Sequence, residues 1–305
     1  MKTTKYYTAA IIAFAIWGFF SLVLKPIHDY PSIDILFFRV FSCSILMLLI
    51  AVLFKRNKIK EAAVVFKSLS ASEKKKAVLL NIGGSFFLMA NWFTFIYAMN
   101  HVTVKAASLA YLVCPILTTL LAFFILKEKL IKTQWLAVSI SILGILLLSY
   151  ADIMDMFFGI VIGLTYACYL VSQRVNKGFD KFIMLTFHIT VAALVLLPFY
   201  PAYSGPVPTE FRFYFFIETI AIGFTIIPLF LNLYALSGIN SSTVGMLLNI
   251  NPMIAFMLAA FFFKENISPL QVAAYALIFI AVLVFNSHHL FAIKQKYILS
   301  SKDSR

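Results

Sequence analysis

Arg39 is a charged residue inside an otherwise apolar run, residues 33–54, about 9 Å from its start at a helical rise of ~1.5 Å per residue. A charged side chain in hydrocarbon costs at least about 2.5–3.5 kcal/mol on insertion scales, so one that persists faces a bundle interior or a cavity. The guanidinium fork suits a carboxylate in two parallel hydrogen bonds. Arg39 therefore reads as a binding group for an anionic or carboxylate-bearing partner, with a structural arginine, paired internally or reaching outward, as the alternative. Glu218 is the carboxylate well within an apolar run, at a similar depth. It is the ion partner of Arg39, a proton-coupling carboxylate, or an interfacial glutamate favoured by a helix N-terminus. His188 either relays protons or is a hydrogen-bonded packing residue.

A second set pairs aromatic faces with amides: Trp17-Gly18, Asn91-Trp92 and Tyr111. Such surfaces suit an amphipathic organic solute. Asn249 and Asn251 flank Pro252. Proline removes one backbone hydrogen bond, and the freed carbonyl needs a partner. Either Asn251 supplies it, or both asparagines face a substrate. His101 and Lys105 read as interfacial, Trp135 as an interface anchor, and Gly83-Gly84, Gly144, Gly159 and Gly163 as points of close helix approach.

These residues need elements to hold them. The 305 residues are 62% hydrophobic and 12% charged, against about 45–50% and about 25% in a soluble domain. The chain reads as an all-α integral membrane protein. Ten apolar segments approach the ~20 residues a bilayer requires: 6–24, 33–54, 77–98, 104–126, 133–150, 154–173, 182–200, 213–235, 241–263 and 267–287. The first is long for a signal-peptide core and lacks a clear small-residue cleavage site, so it reads as retained. With the N-terminus in the cytoplasm, 20 of the 25 basic residues fall on inside segments, eight of them in 55–76, and four fall outside. The positive-inside rule then places both termini in the cytoplasm of a bacterial-type inner membrane. The net charge of +13 is explained by this asymmetry, without nucleic acid. The basic loop 55–76 can also touch anionic lipid heads.

The chain repeats itself. Tyr97-Ala98, Pro115, Lys127-Glu128 and Gln134 recur 137 positions later as Tyr234-Ala235, Pro252, Lys264-Glu265 and Gln271. Earlier, at an offset of 149, Trp17 aligns with Tyr166, Lys25 with Arg174 and Arg39 with His188. Five spans per half make the second half enter the membrane from the other side, so the ten transmembrane helices form two five-helix inverted-topology repeats. The expected division is 1–150, 151–292 and a cytoplasmic tail, 293–305. Cys43, Cys114 and Cys168 are odd in number and unpaired in spacing, which argues against a disulfide framework or zinc site. No phosphate-binding Walker loop, GxSxG elbow or paired histidine box stands out, and His288-His289 is a lone pair. The expectation is thus no enzyme, no cofactor and no metal, with energy drawn from an ion or solute gradient or with downhill movement.

Several motifs resemble the drug/metabolite transporter superfamily with its EamA domains, and more narrowly the RarD-type permeases. They are Trp17-Gly18, Ile35-Leu36 with Arg39, Asn91-Trp92 with Phe95, Ala98 and Asn100, Ala107-Ser108-Leu109 with Tyr111 and Pro115, and Gln134-Trp135-Leu136-Ala137-Val138. The resemblance covers nearly the whole chain. It implies a central cavity between the halves, alternating access, small metabolites such as amino acids or drugs as substrates, and proton coupling or exchange. Two departures stand near the expected cavity. Asn249 and Asn251 replace an aromatic and a small residue before proline, and Phe38 precedes the arginine where a histidine is common. The expected binding set is Arg39, Trp17, Asn91, Trp92, Tyr111, Asn249 and Asn251, with Glu218 and His188 as coupling candidates. The leading expectation is a secondary transporter of small organic metabolites. A passive facilitator, a membrane enzyme on lipid-linked substrates and an accessory subunit are the rivals.

Overall fold

The computed structural model describes residues 3–101, 104–149, 153–176, 178–264 and 268–302, and among them every regular element is helical. α1 (Thr4–Gly18) and α2 (Phe20–Leu24) form an apolar path bent by 41°. α3 (Ser32–Phe54) precedes a short α4 (Arg56–Ser68). Then come α5 (Ala71–His101), α6 (Val104–Leu126), α7 (Lys132–Ser149), α8 (Ile153–Val175) and α9 (Lys181–Leu196). A small α10 (Tyr200–Tyr203) leads to α11 (Phe211–Ala221), a π-helical turn at Ile222–Ile226, and α12 (Ile227–Leu236). The next apolar segment is broken into α13 (Ser241–Leu247) and α14 (Ile250–Met257), followed by a second π-helical turn at Leu258–Phe262. α15 (Pro269–Lys302) continues through most of the segment expected as a tail. Among the described residues, seven helices are long and apolar enough to cross a membrane, and the bent α1–α2 pair makes eight. Two further apolar stretches, Ala110–Leu126 and Lys132–Leu148, are shorter.

The helix ends follow from local chemistry. Ser70 and Glu73 form a capping box at the start of α5: the Ser70 amide and hydroxyl donate to Glu73 Oε2 at 2.9 and 2.7 Å. Asp180 caps α9 by accepting the amides of Phe182 and Ile183. The repeated glutamines do one job twice: Gln134 Oε1 accepts from the Ile131 amide at 3.0 Å, and Gln271 Oε1 from the Ser268 amide at 2.9 Å. The repeated lysines share a backbone state, with φ of 56° at Lys127 and 54° at Lys264, in the left-handed region rarely adopted outside glycine. Glu128 crosses between chain halves to accept the amides of Ser241 and Ser242 at the start of α13. Its mate Glu265 lies outside the described residues.

The segment 55–76, expected as a loop, is α4 plus the first turns of α5. Its lysines, alanines and two glutamates are good helix formers, and Lys58 pairs with Glu61 at 2.7 Å. One end of the bundle gathers α4, the Lys127-Glu128 turn and residues 237–240, and we call it the basic end. There Tyr6 packs on Tyr234 with ring centroids 5.0 Å apart, and Arg174 Nη1 donates to the Leu236 carbonyl at 2.6 Å. At the far end Asp34 accepts the Gly205 amide at 3.1 Å, and Tyr30 packs on Phe213. The main core joins Phe14, Tyr169, Leu185, Ile189 and Leu233. A second cluster joins α6 and α7 to α15 through Leu112, Ile145, Ile278 and Phe285.

Gly238 closes the basic end because it has no side chain. A Cβ there would overlap the Tyr6 ring. Gly238→Ala should therefore lower thermal stability by about 1–3 kcal/mol through overpacking. Most of that loss should vanish in a Tyr6→Ala background, read as a double-mutant cycle of melting curves.

Candidate functional site

Arg39 sits in α3, seven residues after Ser32. Its guanidinium carbon lies 5.2 Å from the centre of the Trp92 ring, within reach of a cation–π attraction. The Cys43 thiol, one turn further along α3, and the Tyr111 hydroxyl from α6 are the other groups that feel its charge. Arg39 Nε is buried and has no hydrogen-bond partner. Among the described residues no carboxylate lies within 4 Å of the guanidinium; the ion pairs described involve His28, Lys58 and Arg212. Glu218 is therefore not the ion partner of Arg39. It lies in α11, one turn before the π-helical turn that continues the same span.

A cleft of about 40 Å³ leads to this cation, lined by Phe20, Leu24, Ser32, Ile35, Leu36, Arg39 and Phe95. These residues come from α2, α3 and α5, and Leu24 and Ser32 mark its far-end side. Tyr111 packs edge-on against Phe95 at 5.8 Å. The structure thus brings together Arg39, Trp92 and Tyr111.

Trp17 and Asn91 are engaged elsewhere. Trp17 Nε1 donates to the Phe224 carbonyl at 2.8 Å. The reason lies in Pro228, four residues on, which has no N–H to return to that carbonyl. The orphaned acceptor sits in the π-helical turn, and the indole satisfies it. Cys43 adds a contact to the Ala221 carbonyl at 3.4 Å. Asn91 Nδ2 donates to the Ile162 carbonyl at 2.9 Å and braces α5 against α8. The Trp17 ring stands edge-on to Tyr166 at 6.1 Å, and the Tyr166 hydroxyl accepts from Asn232 Nδ2 at 2.8 Å.

The break between α13 and α14 resolves the question left open at Pro252. The carbonyl that Pro252 frees is that of Leu248, and the backbone amide of Asn251 donates to it at 3.1 Å. The Asn251 side chain is not needed for that role. Both amide atoms of Asn249 are buried without a partner, as is Asn232 Oδ1. Buried polar atoms of this kind ask for an ordered water or ligand. Gly18 packs so closely on Ile254 that a Cβ there would overlap it, which seats α1 against α14.

His188 lies apart from Arg39, toward the basic end. Its Nε2 is 3.3 Å from Asn81 Oδ1 and its Nδ1 3.5 Å from the Tyr169 hydroxyl. Asn81 Oδ1 also accepts from Asn176 Nδ2 at 3.0 Å, and Asn176 in turn contacts Gln173. This network ties α5, α8 and α9 together below the cleft. The side chains of His101, Lys105, Asn100, His288 and His289 lie outside the described residues.

Sequence reasoning missed Cys43, Tyr166, Asn232 and most of the cleft wall. Cys43 was within reach, since it follows Arg39 by four residues on one helix face. Asn232 and Tyr166 carry no local signal, because they meet only through the fold.

Long apolar helices packed around an unpaired internal cation define a multi-pass membrane protein with a polar site inside its bundle. The chain belongs to the EamA-like transporter family, whose model matches residues 4–150 and 154–287. It is a membrane transporter, and the resemblance read from its motifs holds. An uncharacterized transporter, YojE, of Bacillus subtilis (strain 168) is 27% identical over 282 residues, with 92% of each chain covered. Protein RarD of Escherichia coli (strain K12) is 26% identical over 283 residues, with 90% of this chain and 92% of RarD covered. An S-adenosylmethionine uptake transporter of Rickettsia prowazekii (strain Madrid E) is 26% identical over 199 residues, covering 60% of this chain and 62% of its own. A solved chain described only as a crystal structure of protein has the same fold, with a TM-score of 0.72 at 14% identity, over 92% of this chain and 96% of its own.

The two kinds of residue separate in stability. Trp17→Phe keeps the ring but loses the bond to the Phe224 carbonyl, and should cost about 1–3 kcal/mol because a buried acceptor is left unsatisfied. Arg39→Met removes a half-buried charge that has no carboxylate partner among the described residues, and should melt at or above the temperature of the parent protein. Thermal unfolding in detergent reads both.

Proposed function

We propose that the chain is a secondary transporter that moves small organic metabolites by alternating access. The substrate site lies between two inverted five-helix halves, residues 1–150 and 151–292, with 293–305 as a cytoplasmic tail. The observation that carries this reading is one-sided access to an unpaired cation. A cleft reaches Arg39 from the far end. The basic end is held shut by Tyr6 on Tyr234, Arg174 on Leu236 and the Asn81–Asn176–His188 network. With the basic end in the cytoplasm, as the lysine and arginine distribution favours, this is an outward-facing arrangement.

Three features support the inverted repeat. Lys127 and Lys264, 137 positions apart, share a left-handed φ. Gln134 and Gln271, at the same offset, make the same cap. Matched parts also meet, α7 packing with α15 and Trp17 with Tyr166, as residues near a pseudo-two-fold axis do.

In this reading Arg39, Trp92 and Tyr111 contact the substrate first. Trp17 and Asn91 position the helices around it, while Asn249 and Asn251 meet the substrate at the broken span as it passes inward. Broken helices near the bilayer middle serve this purpose in many transporters. Glu218 couples transport to a proton or counter-solute from the far side, and His188 belongs to the seal that must open on the other side.

Uptake or efflux in proteoliposomes tests the proposal with a metabolite drawn from a thermal-shift screen. Arg39→Ala should reduce flux at least ~10-fold while the protein stays folded, the loss expected when a charge-assisted contact is removed. A proton ionophore should abolish accumulation. Normal flux in folded Arg39→Ala protein would remove Arg39 from the site, and flux indifferent to the ionophore would favour a facilitator or a non-proton counter-solute.

A further inference from the structure

We infer that the cleft above Arg39 is a head-group site for a carboxylate monoanion with an apolar, flat body. This deepens the proposed substrate site and rests on that reading. Four observations bear on it. The guanidinium is unpaired: its Nε is buried without a partner, and no carboxylate stands within 4 Å among the described residues. Arg39 as a whole is half-buried, so part of its charge is withdrawn from water and a counter-charge beside it regains what solvation is lost. The cleft is the side from which an anion can reach it.

The cleft is small. Its volume of about 40 Å³ is a few times the ~10–15 Å³ that one water needs by the same kind of measure. A planar carboxylate fits beside the guanidinium and takes its fork in two parallel hydrogen bonds. The remaining wall is apolar, made of Phe20, Leu24, Ile35, Leu36 and Phe95, with Ser32 as its one hydroxyl. That wall offers no second cation for a dianion such as a phosphate ester. It offers ring and aliphatic faces for the body of the ligand.

The fourth observation concerns sign. Trp92 already presents its ring face to the guanidinium at 5.2 Å. The ring stabilises a positive charge without neutralising it. The field at the cleft floor stays positive, so it attracts an anion and repels an amine. The site discriminates on charge first and on body shape second.

The test uses head-group isosteres on one ring: benzoate, benzamide, benzylamine and phenylphosphonate, each at ~10 mM with the purified full chain in detergent, since a ligand that binds the folded state raises its melting temperature. Benzoate should raise it by several degrees. Benzamide and benzylamine should leave it within error, and phenylphosphonate should fall below benzoate. Arg39→Lys keeps the charge but not the fork and should weaken benzoate binding, and Arg39→Gln should weaken it at least ~10-fold. The inference is overturned if benzamide or benzylamine stabilises as well as benzoate, if phenylphosphonate exceeds it, if benzoate has no effect, or if its effect survives Arg39→Gln. Should Arg39→Gln fail to fold, the isostere series on the unaltered protein decides alone. Flux of labelled benzoate against protein-free liposomes separates the two readings. Binding without flux supports the head-group assignment and counts against transport. Flux of benzamide unaffected by Arg39→Gln supports transport and overturns the assignment.

Discussion

A half-buried guanidinium with no carboxylate partner among the described residues is the constraint around which this bundle is arranged. Arg39 sits within an apolar helix, and among the described residues a ring face, a thiol and a hydroxyl stand around its charge. None of these is a full negative charge. Such a group is retained against a solvation penalty that an apolar residue would avoid. In the proposed transport cycle a ligand supplies the missing charge. Residues around it divide accordingly into those that face the cation and those that hold the helices in place.

The second constraint is that backbone carbonyls freed inside a membrane must find partners. Pro228 orphans the Phe224 carbonyl, and the Trp17 indole takes it from a helix far away in sequence. Pro252 orphans the Leu248 carbonyl, and the Asn251 amide takes it locally. The first solution leaves a π-helical turn beside Cys43 and Glu218. The second leaves a broken span with the Asn249 amide buried and unmatched. Both irregularities are specific joints rather than general looseness. A span with a joint can bend without losing its remaining hydrogen bonds, as the proposed alternating access would require.

Much of this was legible in the sequence, and particular residues show why. Arg39, Trp92 and Tyr111 declared themselves because polar or amphipathic groups are rare in apolar runs. The repeat was legible because proline, Lys-Glu and glutamine resist chance alignment, and the left-handed lysines and paired glutamine caps match at those positions. Glu218 was read as a possible partner of Arg39 from depth alone, and depth carries no information about which helices are neighbours. Trp17 was read as a substrate contact, yet its indole N–H is committed to a carbonyl that only Pro228, 211 residues on, sets free. The helix α4 is hard to see in the sequence because its basic residues carry a topology signal that masks their helix-forming composition.

The central claim is that a cleft opening away from the basic end leads to an uncompensated positive charge. It can be measured with Ile35→Cys, in a chain whose Cys43, Cys114 and Cys168 are replaced by alanine, through its rate of modification by two membrane-impermeant thiosulfonates of equal length. One carries a sulfonate and the other a trimethylammonium group. The sulfonate reagent should react faster from the face opposite the basic end, and Arg39→Gln in the same chain should erase that preference. Equal or faster reaction with the trimethylammonium reagent, or access only from the basic end, would contradict the account.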